Sequence, residues 1–178
     1  PEPTIHPGLS GSLTREYWTG IGGGQVEDLL NHPNYPDAPT GRDSLARFEA
    51  VNWENPDQGE GFADFYGQRI RGYLVPMLSG TYWFWIASDD SSRLYLSSDA
   101  DPANAELIAS VEGWAGRYEF DRSASQRSVA IHLQAGMPYY IEALHAEGGG
   151  GDHLAVAWTS DPDALPGQGD ILAGPMLS

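Results

Sequence analysis

Two adjacent carboxylates, Asp89 and Asp90, follow the most apolar stretch of the chain in the run Ser88-Asp89-Asp90-Ser91. Asp and Ser are common turn formers, so a solvated turn is the plain reading. A chemical reading asks more of the backbone. Neighbouring side chains in an extended strand point to opposite faces, so adjacent carboxylates do not ordinarily address one point. If Asp89 and Asp90 share a ligand, the chain between them must be irregular: a bulge, a tight turn or a cis peptide. A divalent cation suits such a pair because it also cancels the repulsion between the two charges.

A second run with chemical potential is Glu147-Gly148-Gly149-Gly150-Gly151-Asp152-His153. Each glycine costs roughly 0.5–1 kcal/mol relative to Ala in a regular element, so four in a row need a reason. One reading is a floppy hairpin tip. The other is a loop that turns its own carbonyls toward a ligand, and Asp152 directly after the glycines favours it. Three carboxylates (Asp89, Asp90 and Asp152) with backbone oxygens suit Ca2+, a hard cation that takes 6–8 oxygens at about 2.3–2.6 Å. Zinc is disfavoured: there is no cysteine, and the histidines lack ligand spacing. Asp57, Glu60 and Asp64, and separately Asp99 and Asp101, read as solvated acidic loops. Asp99-Ala100-Asp101 lacks the glycine six places into an EF-hand loop.

The elements that must position these residues are strands. Ser128–Gln134 alternates, with Val129, Ile131 and Leu133 on one face, and Leu154, Val156 and Trp158 repeat the pattern up to Thr159. Leu94–Leu96 forms another short strand. Tyr82–Ala87 is apolar on both faces, as expected of a central strand covered on each side. Turn signals at Ser79-Gly80, Ala135-Gly136 and Gly148–Gly151 separate the runs. Helical signal is limited to Gln25–Leu30 and Ala103–Ala109, both shorter than about 12 residues. Residues 31–43 and 53–67 read as long loops. The expectation is an all-β, antiparallel β-sandwich with long loops and one or two short helices.

Composition narrows the function classes. The chain has 178 residues, a net charge of −16 and a sequence pI near 4.3. All nine basic residues are arginine, so the lysine of a phosphate-binding P-loop is missing. The negative charge repels polyanions, which argues against nucleic acid as a partner. The longest apolar run is far below the about 20 residues needed to cross a bilayer, so membrane insertion is not expected. The 22 glycines and 13 prolines fit a loop-rich β protein. Pro1, Pro3 and Pro7 make residues 1–7 an extended linker, and residues 8–178 read as a single domain. The chain opens at Pro1 without a charged-then-apolar leader, and reads as a module cut from a longer protein.

At the level of motifs, the chain resembles the PA-fourteen domain, the family of the fourteen-kilodalton fragment of a bacterial toxin's protective antigen. The resemblance rests on Arg69-Ile70-Arg71-Gly72-Tyr73-Leu74, on Ser79 to Ile86, on Ser88-Asp89-Asp90 and on Arg93 to Leu96. It continues through Ala135 to Glu142, Gly148 to Asp152 and Ala155 to Trp158, in the expected order. It implies a β-sandwich, and the closest likeness is to the sugar-binding modules of large bacterial RTX-type adhesins. In sugar-binding members two adjacent aspartates joined by a cis peptide hold Ca2+, and a neighbouring loop completes the site. Carried over residue by residue, that gives Asp89, Asp90, Asp152 and the carbonyls of Gly149 and Gly151 as metal ligands. The residues facing sugar are then Asp89, Asp90, Asp152 and His153. The glycine run departs from the Asn-containing loop of yeast members, which leaves the individual loop ligands open.

What the resemblance implies is a Ca2+-dependent lectin module, not an enzyme, in a secreted adhesin at a bacterial cell surface. It would bind vicinal hydroxyls of units such as fucose, glucose or mannose, as a monomeric module within a long chain. Two rivals stand beside it: a structural spacer of an adhesin, and a non-catalytic targeting module of a glycoside hydrolase. A glycosidase itself fits poorly, since its two carboxyls must flank a bond at about 5–9.5 Å, and adjacent residues aimed at one ion do not. The Gly-x-Ser-x-Gly and His-Glu-x-x-His motifs are also missing. Trp18 and Trp114 could stack on a sugar face, although an aromatic in a sandwich is more often core.

Overall fold

A computed structural model of the chain describes residues 11–51 and 64–178. The residues expected to form the linker (1–7), and Asp57 and Glu60 of the acidic loop, lie outside this range. Among the described residues ten strands pair entirely antiparallel: β1 (Leu13–Thr19), β2 (Gly41–Leu45), β3 (Glu49–Ala50), β4 (Tyr66–Leu74), β5 (Gly80–Asp89), β6 (Ser92–Ser97), β7 (Ala105–Val111), β8 (Ile131–Leu133), β9 (Tyr139–Glu147) and β10 (His153–Thr159). One helix, α1 (Val26–Leu30), joins β1 to the rest. The order β2-β1-β4-β9-β6-β7 makes one sheet and β3-β10-β5-β8 the other, so the fold is the expected β-sandwich.

Alternation along each strand decides what the sheets bury. Phe84, Ile86, Leu154 and Val156 face inward from the four-stranded sheet, and meet Leu13, Ile70, Leu94, Leu96, Ile141 and Ala143 from the six-stranded one. Trp85, Ala87, Ala155 and Ala157 face the other way and are covered by Phe120 and Ile171. This double burial is why β5 reads apolar on both faces. Outside the six-stranded sheet, α1 places Val26 and Leu29 over Trp18 and Leu144. Trp18 is therefore core and donates its indole N–H to the Asn34 carbonyl. On the same face Glu16 is buried and gathers Arg42, Arg69 and Arg71. Burial opposes its ionisation, but the hydrogen bonds from Arg69 and Arg42 hold its carboxyl below the ordinary range.

Two sequence expectations are corrected. The strand read over Ser128–Gln134 is only Ile131–Leu133, and Val129 is 79% exposed. Its start is lost because the Ser128 hydroxyl accepts from Phe84 N–H and donates to the Val129 carbonyl, which bends the chain out of the ladder. The helix read over Ala103–Ala109 is a single 3-10 turn, Pro102–Asn104, followed by β7. There the local preference of Ala, Glu and Leu for helix gives way to pairing with β6, which buries Ala109 and Val111.

Candidate metal site where two connections cross between the sheets

The β5–β6 connection, Asp90-Ser91, carries the chain from the four-stranded to the six-stranded sheet, and the β9–β10 connection, 148–152, carries it back. Register sets them side by side: Asp89 pairs with His153, Ser92 with His145, and Tyr66 with Glu147. The peptide between Asp89 and Asp90 is cis. The Ser88 hydroxyl donates to the Asp90 carbonyl at 2.7 Å, and the Ser92 hydroxyl lies 2.6 Å from it. One carboxylate oxygen each from Asp89, Asp90 and Glu147 falls within 4.8 Å of the others. The adjacent aspartates thus bring carboxylate oxygens near one another and near Glu147.

Glu147 was not assigned as a ligand by sequence reasoning. The signal was present, since it is the acid that opens the glycine run and it falls on the inward row of β9 with Ile141 and Ala143. Glu147 is fully buried. Its Oε1 accepts from Gly149 N–H at 2.6 Å, while Oε2 has no partner among the described residues. Burial, and next the charge of Asp90, pushes its carboxyl up to about 7. Burial and then Asp90 likewise push Asp89 up to about 6. A buried, unpartnered carboxylate oxygen among other acids is costly unless a cation satisfies it. The donors gathered here are all oxygens, which suits a hard cation such as Ca2+.

The loop residues fall differently from expectation. Asp152 is buried and its Oδ2 accepts the Tyr66 hydroxyl at 2.6 Å. Its charge helps to raise Asp89 and Glu147, so it lies close by, although it is not one of the three clustered acids. Gly149 has φ 154° and Gly150 φ 116°, backbone shapes that favour glycine, while Gly151 is half-buried. His153 is buried, with its ring against the backbone of Gly116 and Ala115, and burial first of all pushes it down to about 4. Only 5% of its surface is exposed.

Three further loops close around the acids. Gly148 N–H donates to Asp90 Oδ2 at 3.0 Å. From the β1–α1 loop, the Gly24 carbonyl accepts Ser91 N–H at 3.2 Å, and Val26 N–H donates to the Ser91 hydroxyl. Gly24 lies so near Asp90 that a Cβ there would overlap the carboxylate. Asp64 Oδ1 accepts Gly150 N–H at 3.2 Å. Ala115 N–H donates to the Ser88 carbonyl at 2.8 Å, which sets the half-exposed Trp114 beside this end of the sandwich. The Arg122 guanidinium lies 3.7 Å over the Trp114 ring centroid.

The PA14 domain family model matches residues 28–170. Among curated proteins, the chain is 35% identical over 157 residues to mouse (Mus musculus) N-acetyl-beta-glucosaminyl-glycoprotein 4-beta-N-acetylgalactosaminyltransferase 1, covering 85% of this chain and 14% of that protein. It is 35% identical over 155 residues to mouse Fibrocystin-L, covering 83% of this chain and 3% of that protein. The chain thus spans a small part of the relatives it matches. Among solved structures, the A domain of Epithelial Adhesin 6 from Candida glabrata, in complex with Galb1-3GlcNAc, superposes with a TM-score of 0.61 at 14% identity, over 98% of this chain and 88% of that one. The PA14 domain of the MpAFP antifreeze protein gives 0.59 at 13% identity, over 92% and 90%. At those identities the structures share the fold.

Proposed function

From the premise that this chain belongs to the PA14 domain family, we propose that it is a Ca2+-dependent carbohydrate-binding module. The observation that carries the reading is the meeting of Asp89, Asp90 and Glu147, with a buried Glu147 oxygen that has no other partner among the described residues. Asp89, Asp90 and Glu147 would hold the ion, with oxygens of the 148–152 loop completing one side. Ca2+ held there would take about 6–8 oxygens, and donors that the protein does not supply would come from a pair of vicinal sugar hydroxyls. Asp90 is oriented by Gly148 N–H, and Asp89 by its own backbone contacts, so the ligand set is arranged before binding. Each hydroxyl replaces a water, which keeps the affinity of one site modest.

The Candida adhesin structures in complex with Galb1-3GlcNAc and Galb1-4GlcNAc support a glycan partner. The motif likeness to RTX-type adhesins supports an extracellular setting on a bacterial surface, with units such as fucose, glucose or mannose as ligands. The described residues contain no helix long and apolar enough to cross a membrane. The glycosyltransferase relative favours a second reading: a non-catalytic module that brings a glycan-processing enzyme to its substrate. Both readings use the same site, and neither assigns catalysis to it.

Calorimetry with a monosaccharide panel, in Ca2+ and in chelator, tests the proposal. Heat is expected in Ca2+ alone, and the Asp90→Ala protein should bind neither ion nor sugar while remaining folded. Equal heats in chelator, or unchanged sugar binding by Asp90→Ala, would sink it.

A further inference from the structure

Behind the three acids runs a buried chain of polar side chains that the binding reading leaves unexplained. Tyr66 and Gln68 stand two residues apart on the inner face of β4. Tyr66 hydroxyl donates to Asp152 Oδ2 at 2.6 Å. Gln68 Nε2 lies 3.3 Å from the Tyr66 hydroxyl and 2.8 Å from His145 Nδ1. His145 Nε2 lies 2.7 Å from the Asp89 carbonyl oxygen. Gln68 and His145 are fully buried, and Tyr66 and Asp152 nearly so. One strand, β4, thereby reaches both walls of the candidate site.

The direction of every bond follows from one end. Tyr66 donates its single proton to Asp152 Oδ2, so toward Gln68 it can only accept. Gln68 must then face Tyr66 with its NH2 group. The same nitrogen faces His145 Nδ1, which is therefore the bare, accepting nitrogen of the ring. The imidazole proton is left on Nε2, pointing at the Asp89 carbonyl.

We infer that Gln68 is a positioning residue: through Tyr66 it holds the Asp152 carboxylate, and through His145 it holds the Asp89 backbone, so that both walls of the site are set from β4. The inference deepens the Ca2+-site reading and rests on it for the ion. A side chain that merely fills space would be replaced by an apolar one of similar volume with no effect on the His145 tautomer. Gln68 as the central donor cannot be. Outer partners of this kind commonly govern metal affinity by about 10–100-fold.

The test is made on the whole chain. Nitrogen-15 NMR of the histidine rings, recorded in chelator, should show His145 as the Nε2–H tautomer. Gln68→Leu, which adds no charge, should weaken Ca2+ in calorimetry by about 10–100-fold, with circular dichroism unchanged. Tyr66→Phe should weaken it too while leaving the His145 tautomer as in the wild type. An Nδ1–H tautomer in the wild type overturns the relay, as does a Gln68→Leu protein with wild-type Ca2+ affinity. If Gln68→Leu does not fold, the wild-type tautomer and Tyr66→Phe decide the matter. A wild type that binds no Ca2+ defeats the lectin reading, while the tautomer in chelator still decides the relay.

Discussion

Asp89 and Glu147 hold protons more tightly in the folded protein than ordinary carboxyls do. Burial, then Asp90, lifts Asp89 from 3.8 to about 6 and Glu147 from 4.5 to about 7. In the ion-free protein these raised values contribute stability that is fully present below the unfolded values. That stability is lost as pH rises through about 6 for Asp89 and about 7 for Glu147. Ion binding runs the opposite way, since it needs both groups ionised. Denaturant midpoints in chelator should therefore fall between about pH 4 and about pH 7, while Ca2+ affinity rises over the same interval. Glu147→Gln should remove the part of the midpoint change that reaches up to about pH 7 and weaken Ca2+. A Ca2+ affinity flat across that interval would place these acids outside the ion's reach.

At the scale of elements, the site depends on backbones that approach closely. The β1–α1 loop, through Gly24, and the β9–β10 loop, through Gly148, press on Asp90 from two sides. A methyl group on Gly24 would occupy the space of the Asp90 carboxylate, whereas one on Gly167 would meet open space. Gly24→Ala should weaken Ca2+ at least about tenfold, and Gly167→Ala should leave it unchanged, as read by calorimetry on both proteins. Equal affinities would mean that the β1–α1 loop does not shape the site. Gly22-Gly23-Gly24 was a visible signal in the chain, but nothing local to it pointed at Asp90, 66 residues further on.

For the whole molecule, the crossing connections join the two sheets, so an ion held there ties the layers together. A ligand that binds only the folded state, at about 100 times its Kd, stabilises by about 2.7 kcal/mol. For a chain of this length that corresponds to a rise in Tm of about 5–10 °C. Thermal unfolding in Ca2+ and in chelator should differ by this amount in the wild type and by nothing in Asp90→Ala. Phe84→Ala should instead cost about 3–5 kcal/mol in both conditions, because it opens a cavity in the apolar core between the sheets. A Ca2+ effect that survives Asp90→Ala would point to ions in the other acidic loops.

The architecture and the aspartate pair were legible in the chain because both are local: β5 shows its double burial in consecutive residues, and Asp89-Asp90 are neighbours. The strand β7 was hidden, since Ala105–Val111 favours a helix until β6 lies beside it. Glu147 became a site residue only when the β4–β9 register set it beside the crossing, and Asp152 was drawn toward Tyr66, 86 positions away. Gln68 and His145 carry no motif at all, and 77 residues separate them. Residue types and their neighbours were enough to state that hard oxygen donors converge near Asp89. Which donors meet, and what holds them, was decided by strand pairing between distant segments, because burial and hydrogen-bond geometry exist only once the two sheets are packed.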